Sequence, residues 1–165
     1  MTELRPDPAA TRDIARALNT CIEVCTDGER GYAQAASDVR EPVLRNLFLA
    51  MAKQRSDFVL AFQAALTKLG AFAENEGSLS GAAHRAWLDA RIVLEGRTDA
   101  LVFEEWARGE AAGAAACERA FQEVPIATLP DDVQGLVLAH ASAMKRGLVD
   151  ARAHLARVTA SLGAA

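Results

Sequence analysis

Aromatic residues are scarce in this chain, 5% of 165 residues, and runs of β-branched residues are nearly absent. Strands draw on both classes to cover a pleated surface, so the composition counts against a β-rich fold. Cysteine is scarce as well. Cys21, Cys25 and Cys117 cannot all pair within one chain, which excludes a secreted scaffold built on internal disulfides. No apolar run approaches the ~20 residues of a membrane span, so no membrane partner is expected. An excess of positive charge is also missing. Lys plus Arg number 18 against 22 Asp plus Glu, a net charge of −4, and there is no basic block for nucleic acid to bind. The stretch from Met1 to Pro8 is polar and has no apolar signal-peptide core, so a cytoplasmic location is expected. At this length residues 1–165 form a single domain with a sizeable core.

What is present is Ala, Leu, Arg and Glu in helical rhythm. The five prolines, Pro6, Pro8, Pro42, Pro125 and Pro130, fall where helices would start or stop. The pattern predicts a first helix over about 8–37, with an apolar seam of Ile14, Leu18, Cys21, Cys25, Gly28, Tyr32 and Ala35 in alternating steps of four and three. A turn at 38–41 leads into a second helix from Pro42 to about Leu69, with Leu44, Leu47, Met51, Phe58, Phe62 and Ala65 inward. Gly70 ends it. Residues 70–80 read as loop, and 81–94 as a short helix carrying His84, Trp87 and Ile92. A third long helix is predicted over 98–123 with Thr98 as N-cap, and a fourth over 131–161. The short first connection makes helices one and two antiparallel neighbours, and likewise three and four. The roughly 28 residues between helices two and three can return along the ~40 Å length of the bundle. The expected fold is therefore all-α: two antiparallel hairpins joined by a long crossover containing a short helix, the ferritin-like arrangement.

Function in a bundle is usually built where a polar residue interrupts the seam. Glu29 lies four residues after Cys25, and Glu110 four after Trp106. Gln54 and Arg55 lie between Met51 and Phe58, and His140 between Val137 and Met144. A carboxylate-bridged metal pair needs a Glu on each of two helices and a Glu-x-x-His on each of the other two. That test fails, because Gly81, Val137 and Ala151 stand three residues before His84, His140 and His154. The expectation is a polar core network of Glu29, Gln54, Arg55 and Glu110, with the carboxylates neutralised by Arg55, by Arg108 or by hydrogen bonds. No metal or cofactor is expected. An iron or other divalent-metal site would draw on Glu29, Glu110 and His140.

Cys21 and Cys25 share one helical face, which suits a soft metal or a redox pair. With no further Cys or His at ligand spacing in that helix, small buried core residues is the preferred reading, and Cys117 is expected to pack in the third helix. His84 and Trp87 would cap a pocket, make a partner surface or pin the crossover to the bundle. The Ala and Gly run from Ala111 to Ala116 permits close approach of a helix, within the chain or across a homodimer. No phosphate loop or nucleophile elbow is present, and no small-molecule ligand is identifiable.

Several segments resemble a bacterial ferritin-like family labelled as a domain of unknown function. They are Leu18-Asn19 with Asp27-Gly28-Glu29-Arg30-Gly31-Tyr32, then Gln54-Arg55-Ser56-Asp57-Phe58 and Leu69-Gly70. Gly77-Ser78-Leu79-Ser80-Gly81-Ala82-Ala83-His84-Arg85-Ala86-Trp87 and Arg108-Gly109-Glu110 complete the set. The resemblance runs over roughly residues 13–155. It implies a ferritin-like four-helix bundle without an established activity. The family's pattern has a Glu before the Arg-Gly-Glu, where this chain has Ala107, and a His at the place of Leu148. Both departures remove candidate ligands. The reading is a non-catalytic helical bundle with a structural or stress-related role, self-associating as a homodimer. The alternative is an iron-binding bundle with redox or storage activity through Glu29 and Glu110.

Overall fold

The computed structural model describes residues 8–71 and 99–163. Among them the chain forms four long helices and no strand: α1 (Pro8–Asp38), α2 (Pro42–Lys68), α3 (Asp99–Ala120) and α4 (Asp131–Gly163). The predicted short helix over 81–94, with His84 and Trp87, and the Thr98 cap lie outside the described residues.

Local chemistry sets the helix ends. Pro42 opens α2, and Glu41 before it is extended, as a residue preceding proline prefers. At the other end of α2, Gly70 takes φ +71°, a left-handed conformation that favours glycine. The Gly70 N–H then donates to the Thr67 carbonyl and the Ala71 N–H to the Leu66 carbonyl, both at 3.0 Å. This is the Schellman closure of a helix C-terminus. Helix α3 ends at Ala120, short of the predicted 123. Phe121 and Gln122 turn onto carbonyls three residues back, ahead of Pro125. A single 3-10 turn (Ile126–Thr128) leads to Pro130 and α4. Asp131 and Asp132 occupy the first turn of α4, where negative charge complements the helix dipole.

Helix α1 packs along α2 and also against α3, and α3 packs along α4; α2 meets α4 over a shorter stretch. The core is divided into two clusters. One gathers Leu18, Cys21 and Cys25 of α1, Phe62 and Leu66 of α2, Cys117, and Val133, Val137 and Met144 of α4. The other gathers Tyr32, Phe48, Ala52, Phe103, Trp106 and Ala151. In it the rings of Phe48 and Trp106 meet edge to face at 5.3 Å.

The middle of the inward face of α2 differs from the predicted one. Phe48 and Ala52 are buried, whereas Leu47 and Met51 are half-buried. Leu44, Phe62 and Ala65 are buried as the seam predicts, and between Leu44 and Phe62 the buried positions are Phe48, Ala52 and Arg55.

Candidate functional site

Two layers of polar side chains cross the bundle. In the first, Arg55 Nη2 of α2 donates to Glu110 Oε1 of α3 at 2.6 Å, with both side chains 2% exposed. The Tyr32 hydroxyl of α1 donates to the same carboxylate oxygen. The Arg55 guanidinium also lies 5.9 Å from the Tyr32 ring centroid. Two glycines give this layer its room. A Cβ on Gly28 would stand 3.3 Å from Arg55 Cγ, and one on Gly147 of α4 would stand 2.8 Å from Glu110 Oε1. Glu110 Oε2, Arg55 Nη1 and Trp106 Nε1 are buried and have no hydrogen-bond partner among the described residues. Burial pushes the Glu110 carboxyl up, to about 8, while the adjacent guanidinium and hydroxyl favour its ionised form. Burial likewise pulls the Arg55 pKa below its ordinary value.

The other residues assigned to the polar network stand apart from this pair. Gln54 is exposed, which corrects its placement in the core. It precedes Arg55 by one residue and so lies about 100° further round the helix, on the solvent side. Glu29 is half-buried, and neither a hydrogen bond nor an ion pair joins it to Arg55 or Glu110. Arg108 pairs with Glu105 at the surface instead of turning inward. His154 stacks on Phe103 at 5.1 Å. At Gly113, in the small-residue run, an added Cβ would meet Met144 and Val24, so the close approach there is made within the chain.

The second layer is a thiol–imidazole cluster. Sγ of Cys21, Sγ of Cys117 and a ring nitrogen of His140 all lie within 4.8 Å of one another, and all three residues are buried. Cys25 Sγ is 3.2 Å from His140 Nε2. All three cysteines are free thiols. Phe58 and Phe62 present their rings edge to face against the imidazole, at 5.0 and 5.3 Å. The neighbouring Cys21 thiol, helped by His140, holds Cys117 down at about 6 against the cost of burial. Its pairing with Cys117, followed by burial, pushes Cys21 up. Burial pushes Cys25 up to about 12.

The two layers are one heptad apart on every helix. Tyr32 and Cys25, Arg55 and Phe62, Glu110 and Cys117, and Gly147 and His140 are each separated by seven residues. That is about 10.5 Å along a helix axis. Sequence reasoning placed His140 and Glu110 on inward faces but did not join Cys117 or His140 to Cys21 and Cys25. The signal that does so is this register. With Tyr32 opposite Glu110, antiparallel helices must set Cys25 level with Cys117. A shallow surface depression lined by Asp13, Arg16, Thr20, Arg119 and Glu123 shares no residue with either layer.

The family model described as a domain of unknown function, DUF2383, matches residues 13–123. The chain belongs to this family. The DUF2383 match contains Cys21, Cys25, Tyr32, Arg55, Glu110 and Cys117, and stops before the α4 residues His140 and Gly147. Comparison with curated proteins and with solved structures returns no match.

Proposed function

We propose that this chain is a ferritin-like bundle with a structural or regulatory role, in which an arginine holds the interior carboxylate that iron would need. The observation that carries the reading is the Arg55–Glu110 ion pair at 2.6 Å, joined by Tyr32 on the same oxygen. A carboxylate-bridged metal pair requires carboxylates free to bridge, together with Glu-x-x-His ligands. Here the buried carboxylate already has a cation, Glu29 is not joined to it, and a fixed guanidinium repels metal ions. These residues do not fit a di-iron centre. The alternative, iron binding through Glu29 and Glu110, requires Arg55 to leave its partner and strand two buried charges.

The heptad register supports the ferritin-like connection. From the Arg55 layer to the thiol layer, the numbering falls by seven on α1 and α4 and rises by seven on α2 and α3. Helices α1 and α4 therefore run one way, and α2 and α3 the other. The end of α2 and the start of α3 then lie at opposite ends of the bundle, as in that arrangement. Free thiols in the core suit a reducing, cytoplasmic compartment. Leu60, Leu138 and Val149 are exposed apolar side chains on α2 and α4, and would contribute to a homodimer. Light scattering at micromolar concentration is expected to give a two-chain particle; a 17.5 kDa particle would reject the dimer.

The functional reading is tested by anaerobic loading with ferrous iron followed by exposure to oxygen. The expected result is an oxidation rate equal to that of the buffer. Protein-dependent iron oxidation that is lost in Glu110→Gln would overturn the reading.

A further inference from the structure

We infer that Cys21, Cys25, Cys117 and His140 form a binding site for one soft, tetrahedral cation, zinc, which ties the α1–α2 hairpin to the α3–α4 hairpin. This goes beyond the structural reading above and does not depend on it.

The chemistry of the donor set points to such an ion. Thiolate and imidazole ligands select zinc and other soft metals over the hard cations that carboxylates hold. Three Cys and one His is an established structural zinc set, and Cys21-x-x-x-Cys25 has the C-x₂₋₄-C spacing found in such sites. The geometry is close to what coordination requires. Tetrahedral zinc, with Zn–S of about 2.3 Å and Zn–N of about 2.0–2.1 Å, sets ligand atoms roughly 3.6–3.8 Å apart. The observed separations bracket this range: 3.2 Å between Cys25 Sγ and His140 Nε2, and up to 4.8 Å among Cys21, Cys117 and His140. Cys21, Cys117 and His140 already lie together, and Cys25, which touches only His140 among them, is the donor that has to turn inward to close the set.

The environment favours a ligand role over simple packing. His140 is 1% exposed, and the polar neighbours identified for its ring are sulfur atoms, which are weak donors and acceptors. That is a poor way to satisfy a buried imidazole but a good way to surround a metal. Phe58 and Phe62 fix the plane of the ring and exclude water from one side. All four donors come from protein, which makes the site closed and structural, with no position left for a substrate. They are drawn from α1, α3 and α4, so a bound ion links elements far apart in sequence. Binding replaces thiol protons with the metal and releases them to solvent.

The full-length, reduced, chelator-stripped protein is titrated with cobalt(II), which reports coordination that zinc hides. One equivalent is expected to give an intense thiolate-to-cobalt charge-transfer band and tetrahedral d–d bands, both bleached by zinc. Cys117→Ser and His140→Ala are expected to lose these bands, and Glu29→Gln to keep them. Should those variants fail to fold, the wild-type protein alone still decides. Zinc is expected to raise its melting temperature and to shield its three cysteines from alkylation read by mass spectrometry. An octahedral cobalt spectrum, bands that survive both variants, or zinc that leaves melting and alkylation unmoved would overturn the site.

Discussion

Gly147 of α4 faces Glu110 of α3 so closely that a single added methyl group would collide with the carboxylate. Its Cβ would stand 2.8 Å from Oε1 and 2.9 Å from Cδ. Glu110 is held on its other side by Arg55 and Tyr32 and cannot swing away freely. Gly147→Ala is therefore expected to destabilise the protein by roughly 1–3 kcal/mol, the range for overpacking a filled interior. Gly135→Ala on the same helix is the control. Its added Cβ would meet nothing within 4 Å, so the better helix former should stabilise by about 0.5–1 kcal/mol. Urea denaturation of the two variants checks the opposite signs.

Arg55→Ala strands the Glu110 carboxylate in the core, and a loss of about 3–5 kcal/mol is expected. Replacing both partners, as Arg55→Met with Glu110→Leu, removes both buried charges and should recover most of that loss. A double-mutant cycle by denaturation measures the coupling directly. Additive effects of the two single changes would show that the ion pair is not coupled in solution.

Arg55→Met also exposes a pH dependence. Burial already raises Glu110 above its ordinary value near 4.5 with Arg55 beside it, and losing the guanidinium raises it further. A carboxyl whose pKa is raised on folding holds its proton more tightly in the folded state. Its contribution is complete below about pH 4.5 and is lost as the pH rises through the raised folded value. The denaturation midpoint of the variant is expected to fall across that window. Adding Glu110→Gln should flatten the slope, and an unchanged slope would assign it to another group.

Much of this architecture was legible in residue types and spacing. Pro42 and Gly70 mark the ends of α2 because one lacks the N–H that a first turn does not need, and the other tolerates a positive φ. Arg55 and Glu110 were assigned to the interior because they interrupt apolar seams. Two things were not legible. The seam of α2 contains apolar residues at 47, 48, 49 and 51, so hydrophobicity alone does not say which of them points inward. Packing against Tyr32 and Trp106 selects Phe48, and that choice turns Gln54 to solvent. The thiol cluster was hidden because its members lie on three helices. No spacing within one helix reveals it, and only the relative heights of α1, α3 and α4 bring Cys21, Cys117 and His140 together.

The most direct test of the account is elemental analysis of protein purified anaerobically without chelator, with Glu110→Gln alongside the wild type. The account predicts no retained iron in either protein, and zinc near one ion per chain in both, because the carboxylate is committed to Arg55 and the soft donors lie a heptad away. Two tightly held iron ions per chain in the wild type, about 3.5–4 Å apart as in two-metal sites and lost in Glu110→Gln, would contradict it.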